Sequence, residues 1–158
     1  MAFGSLSVKG RALRWLAQRE HSRAELERKL ARVVEDGPDA TAQAQIAVAL
    51  DDLAAKGLIS EARVAESVLA SQGQRFGTRR LKQTLQAKGI EASLVASTLQ
   101  QARATELERA REVWRRRFGA PAPDAAGRAK QMRFLAGRGF DGEVIRRVVR
   151  ADDEDSCS

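Results

Sequence analysis

A pattern that returns after fifty residues constrains this chain more than its composition does. Leu85, Ala87, Lys88, Gly89 and Ile90 return as Leu135, Gly137, Arg138, Gly139 and Phe140. The apolar positions that follow, Leu94, Val95 and Leu99, return as Val144, Ile145 and Val149, and a looser copy upstream runs through Leu26, Leu30, Gly37, Ile46 and Leu50. Self-similarity at a fixed period of this size marks a helical repeat. Each unit buries its apolar stripe mainly against its neighbours, so the expected product is an elongated array with long surfaces. Arrays of this kind bind partners more often than they catalyse.

Helical periodicity runs through almost the whole chain, and no segment shows the β-branched alternation of a strand. The simplest division is an all-α chain of three tandem three-helix repeats, 1–59, 60–103 and 104–151, with an acidic disordered tail at 152–158. In the first repeat Val8, Ala12, Leu13 and Leu16 form one stripe. Ser22 to Glu25 reads as a capping box that starts a helix carrying Leu26, Leu30 and Val33, with Glu25 and Lys29 paired one turn apart. Asp36 to Asp39 stops it, and a helix over 43–56 turns Ile46, Leu50 and Leu53 inward before Gly57, a left-handed cap. The second repeat reads as helices 60–75, 78–88 and 91–102, broken at Gly77 and Gly89. The third reads as helices 105–118, 124–137 and 141–150. Gly37 lies nine positions before Ile46, whereas Gly89 and Gly139 lie six before Val95 and Ile145, so the first repeat has a longer loop, as a terminal repeat can.

The chain is 43% hydrophobic, enough for a core despite 31% charged residues, which argues against a disordered chain. No apolar run approaches the ~20 residues of a membrane span, and the first residues lack the layout of a secretory signal. Cys157 is the only cysteine, so no internal disulfide can form. A cytoplasmic monomer is the expectation. Net charge is +1 over 1–59, +4 over 60–103, +6 over 104–151 and −4 over the tail. That gradient favours a polyanionic partner, a nucleic acid or an acidic protein surface. The acidic tail follows the most basic repeat and is expected to screen it.

The chemistry-bearing residues are sparse. His21 is the only histidine and reads as a solvated helix-start residue, so a His/Cys metal site has too few ligands. Neither phosphate-loop nor dinucleotide glycine motif is present, and Gly137 with Gly139 ends a helix instead of opening one. The expectation is a non-enzyme without cofactors. The candidate partner-binding residues are cations: Arg111, Arg115 and Arg116, facing away from a Trp114/Phe118 stripe, with Glu112 offsetting part of their repulsion; Arg75, Arg79 and Lys82 around the middle helix of the second repeat; and Lys130 and Arg133, with Arg128, in the third. Lys88 and Arg138 suit a last helical turn, where cations offset the dipole. Aromatics are only 4%. Trp15, Trp114, Phe118 and Phe134 fall in or beside apolar stripes and read as core, which weighs against base-stacking platforms. The sequence assigns no side to Phe76.

The stretch from Ala12 to Leu30 resembles the opening repeat of the RecX family, bacterial regulators of the RecA recombinase. Lys56 to Ile59, Ala65 to Ser67, Leu85 to Ile90 and Arg133 to Phe140 fall where that family has its own signatures, and the resemblance covers about residues 8–150. It implies three three-helix repeats in a curved, elongated molecule. It also implies a partner, the RecA–DNA filament, in whose groove such proteins lodge while suppressing ATP hydrolysis, strand exchange and LexA-type coprotease activity. No catalytic residues are implied. Ser60 and Val64 depart from the Asp and Phe usual at the start of the second repeat. A stand-alone module binding single- or double-stranded DNA is the alternative that the basic second half supports.

Overall fold

A computed structural model of the chain describes residues 6–154, with side chains over 6–150; Asp155 and Cys157 of the expected tail lie outside the described residues. Every regular element among the described residues is helical: α1 (Val8–Gln18), α2 (Arg23–Ala31), α3 (Ala42–Ala55), α4 (Glu61–Gln72), α5 (Thr78–Ala87), α6 (Ala92–Arg117), α7 (Ala125–Gly137) and α8 (Gly142–Glu154). The chain forms two compact units, one of residues 1–67 with 88–91, the other of 68–87 with 92–158.

In the first unit α1, α2 and α3 enclose Ala12, Leu26, Leu30, Ile46, Leu50, Leu53 and Ile59, with Val8, Trp15, Leu16 and Val34 packed against them. Each helix starts where a side-chain oxygen takes an orphan backbone N–H: Ser7 from Gly10, Ser22 from Glu25, Thr41 from Ala44. Such a cap is typically worth about 1 kcal/mol. The capping box forms as the sequence predicts, with Glu25 accepting from the Ser22 N–H at 3.2 Å. Glu25 does not pair with Lys29, however. Its carboxylate takes Arg19 at 2.8 Å and Lys88 at 3.1 Å instead. Leu13 and Val33 are exposed, because α1 buries Ala12 and turns Leu13 outward, and α2 ends at Ala31, before Val33. The connection from α2 to α3 has ten residues against four between α5 and α6 and four between α7 and α8, matching the longer first loop. It is tied down by Asp36, which accepts from the Ala42 N–H, and by Gln45, which donates to the Glu35 and Ala40 carbonyls.

His21 is not solvated, as its place beside the cap suggested; it is 1% exposed. Nδ1 lies 3.0 Å from the Arg19 carbonyl and Nε2 lies 3.1 Å from the Lys29 ammonium, which also sits over the Trp15 ring. That geometry suits a neutral ring donating through Nδ1 and accepting at Nε2. Burial, with Arg19 and Lys29 nearby, holds the imidazole below its ordinary pKa of 6.5. Burial pushes the Glu25 carboxyl up, but Arg19, the Ser22 N–H and Lys88 together outweigh it and hold the group at about 2. Both groups are depressed in the folded state, so the unfolded chain binds protons more readily and acid favours unfolding. Stability of this unit should therefore fall as pH drops below 6.5. It should fall again from about pH 4.5 toward 2 by something on the order of 2 to 3 kcal/mol, the Glu25 contribution at ~1.4 kcal/mol per unit. Denaturant midpoints followed by Trp15 fluorescence in a Trp114→Phe background read this out. Glu25→Gln should remove the lower step.

In the second unit Ala110, Trp114, Leu135, Phe140, Ile145, Val148 and Val149 form the core, with Leu107, Val113, Phe118, Met132, Phe134 and Val144 against it. The helices predicted at 91–102 and 105–118 are one 26-residue helix, α6. No Gly or Pro separates them, Ala102 and Glu106 are buried, and the Thr105 hydroxyl donates back to the Ala102 carbonyl within the helix. The helix expected over 141–150 extends to Glu154 as α8, so residues 152–154 of the tail expected to be disordered are helical. The buried Trp114 indole donates to Gln131 Oε1 at 3.0 Å, and Gln131 in turn donates to the Ala120 carbonyl. Gln131 thus fixes the Pro-rich connection to the core.

The repeated glycine turn does more than stop a helix. Gly89 and Gly139 have φ of +71° and +83°, the left-handed conformation that closes α5 and α7. In the first unit the Ser22 hydroxyl donates to the Lys88 carbonyl, and a Cβ on Gly89 would come within 3 Å of the Ala24 Cβ. In the second unit the start of α5 docks on the matching turn. The Gly77 N–H donates to the Arg138 carbonyl at 2.9 Å and the Arg79 N–H to the Gly139 carbonyl at 3.0 Å. A third acceptor serves both helix starts: Glu106, 3% exposed, takes the Thr78 and Asp141 N–H groups, each at 3.1 Å. Arg109, one turn on, donates to the carbonyls of Gly73, Phe76 and Ala102. Burial lowers its pKa and the nearby Glu106 charge opposes that.

Candidate partner-binding surface

All eight candidate cations lie in the second unit. Arg75 is in the connection from α4 to α5, Arg79 and Lys82 are on α5, Arg111, Arg115 and Arg116 on α6, and Lys130 and Arg133 on α7. Seven are exposed and Arg111 is half-buried. Trp114 is buried while Arg115 and Arg116 face solvent, as the stripe implied. Glu112 takes both, Arg116 at 2.9 Å and Arg115 at 3.8 Å. These exposed pairs contribute little to stability, ~0–1 kcal/mol.

A second group of cations was not singled out from the sequence. Arg75 and Arg80 lie over the Phe76 ring at 5.4 and 4.4 Å from its centroid, and Arg138 lies at 5.6 Å from the same ring. Arg138 also sits 5.2 Å from Phe134, which carries Arg117 at 5.5 Å; Arg117 is in turn 5.7 Å from Phe118. Phe118 and Phe134 meet edge to face at 5.4 Å. The result is one continuous row of guanidinium groups and phenyl rings contributed by four segments of the second unit. Phe118 and Phe134, expected in the core, are half-buried: each packs against the core and meets a guanidinium as well. Phe76, unassigned from the sequence, is half-buried in the same way. Of the eight candidates only Arg75 belongs to this row. The available signal was the adjacency of Arg75 to Phe76 and of Arg117 to Phe118.

No group of three or more His, Cys, Asp or Glu side chains among the described residues is placed to hold a metal ion. Among them, no helix is long and apolar enough to cross a membrane.

Two models of one family match the chain, "RecX, second three-helix domain" over residues 60–99 and "RecX, third three-helix domain" over 104–149. Their boundary falls inside α6. The chain is 52% identical over 150 residues to a regulatory protein RecX of Leptothrix cholodnii, covering 95% of this chain and 92% of the relative. It is 45% identical over 154 residues to a regulatory protein RecX of Herminiimonas arsenicoxydans, covering 98% of each. The crystal structure of RecX from Lactobacillus salivarius superposes with a TM-score of 0.74 over 93% of this chain and 95% of that one, at 20% identity, and so shares the fold. By the two domain matches and by identity across nearly its whole length, the chain belongs to the RecX family of regulatory proteins.

Proposed function

We propose that this chain is a non-enzymatic modulator, mainly an inhibitor, of the RecA recombinase. It binds in the groove of the RecA–DNA filament as a monomer in the cytoplasm and suppresses ATP hydrolysis, strand exchange and coprotease activity. The observation that carries this reading is the 52% identity with a regulatory protein RecX over 95% of the chain, together with what the family resemblance implies. The exposed cations of the second unit support a polyanionic partner, and Arg75, Arg79, Lys82, Arg111, Arg115, Arg116, Lys130 and Arg133 are the residues we assign to it. Titrating the protein into RecA that is hydrolysing ATP on single-stranded DNA tests the proposal. Hydrolysis should fall progressively, and a rate unchanged at several-fold molar excess contradicts it.

A second reading, direct binding to nucleic acid, is favoured by one observation: the arginine row on Phe76, Phe134 and Phe118. It is compatible with the first, since a protein in the groove of a filament lies near the DNA it encloses.

A further inference from the structure

Carboxylates pair a larger share of the cations in the first unit than in the second, although Lys29 of the first lies over the Trp15 ring. In the first unit Lys9, Arg19, Arg23, Lys56, Arg63 and Lys88 each face an Asp or Glu carboxylate. In the second, Arg115 and Arg116 share Glu112. Arg75, Arg80, Arg117 and Arg138 form no such ion pair among the described residues; each lies over a phenyl ring instead. Four charges with no carboxylate partner, arranged in one row, form a surface with an unmet electrostatic demand.

We propose that this row holds the sugar–phosphate backbone of a nucleic-acid strand, with Phe76, Phe134 and Phe118 as props that set the guanidinium planes. The proposal rests on the second reading above and adds to it the residues and the mode. A guanidinium lying over a ring keeps its N–H edge free for two parallel bonds to phosphate oxygens. Stacking also restricts the side chain before binding, so less rotamer freedom is lost when the phosphate arrives. The ring faces already carry cations, which leaves them poor platforms for bases, and recognition should follow charge and not base identity. An acidic protein fits less well. Protein interfaces draw most of their energy from apolar or aromatic anchors that fill a dry pocket, and here the rings are covered by charge. A polymer of regularly spaced phosphates matches a continuous row of cations.

The test is fluorescence anisotropy of a labelled oligothymidine, and of an abasic strand of the same length, titrated with the intact protein at several salt concentrations. Wild-type protein should bind both strands within about twofold. Replacing Arg75, Arg80, Arg117 and Arg138 together by Gln should reduce the slope of log affinity against log salt by about 3, at ~0.7 per phosphate contact on a single strand. Between ~50 and ~200 mM salt those four contacts account for a roughly 50-fold loss in the wild type, which the variant should not show. The pair Arg75→Gln with Arg80→Gln, both outside the core, should give about half the slope change and covers the case in which the fourfold variant folds poorly. Arg→Lys at all four positions keeps the charge and loses the stacking; it should bind several-fold more weakly than wild type. An unchanged salt slope in the Gln variants overturns the proposal, as does an abasic strand bound tenfold more weakly than oligothymidine. If the Gln variants keep DNA affinity but no longer slow RecA, the row meets an acidic protein surface and the proposal fails while the regulatory reading stands. Loss of DNA affinity with no wild-type effect on RecA supports the row and removes the regulatory reading.

Discussion

Replacing Glu106 by Ala should destabilise the second unit by about 3 kcal/mol, because the buried Thr78 N–H, worth ~1–3 kcal/mol when unsatisfied, and the part-buried Asp141 N–H, worth less, lose their acceptor together. The Thr78 and Asp141 N–H groups both point at Glu106 Oε1, and neither has another acceptor among the described residues. The half-buried Arg109 loses the charge that opposes its desolvation. The carboxylate also sits at the starts of α5 and α8, where the partial positive charge of the helix ends favours an anion. Glu106→Gln keeps an acceptor oxygen in place but not the charge, and should recover more than half of the loss. Urea unfolding checks both variants. The midpoint should move and the slope should not, since the same surface is exposed on unfolding.

Gly77→Ala should cost the same unit about 3 kcal/mol, at the upper end of the usual range for overpacking. A Cβ there would lie within 3 Å of the Gly139 carbonyl oxygen and the Phe140 N and Cα. All three are backbone atoms, so relief requires moving the α7–α8 turn away from α5 and lengthening the Gly77 and Arg79 hydrogen bonds. Gly137 provides the contrast. It is the last residue of α7 and a Cβ on it meets nothing within 4 Å, so Gly137→Ala should stabilise the unit by about 0.5 to 1 kcal/mol through the unfolded chain. The same denaturation series reads both. Equal effects at Gly77 and Gly137 would mean that the docking of α5 on the turn contributes little.

These two sites mark what the sequence could and could not convey. The stops at Gly57, Gly89 and Gly139, the Ser22 capping box and the inward Ile46, Leu50 and Leu53 were legible because each is a local rule acting within about one helical turn. The fifty-residue echo was legible as architecture. Its second meaning was hidden, because the residues that require glycine at 77 and 139 to be small lie about sixty positions apart in the chain. The continuity of α6 was missed for a related reason: the repeat suggested a boundary near 103, while Gln100 to Thr105 contain nothing that breaks a helix. His21 was misplaced because its partners, the Arg19 carbonyl and the Lys29 ammonium, close around it only in the fold. The arginine row was the largest omission. Arg138 has a sufficient local explanation in the dipole of α7, and Phe134 a sufficient one in the core, so neither invites a further role until Phe76 is brought beside them.

Under the function proposed above, the chain acts on a recombinase filament and any contact to DNA serves that end. Binding of the labelled protein to RecA filaments assembled on single-stranded DNA, compared with the same DNA bare and at the same salt, tests it most directly. Binding to the filament should be tighter than to bare DNA, and should survive at salt concentrations where bare DNA is released. Equal or weaker binding to the filament would contradict it and leave a nucleic-acid-binding module.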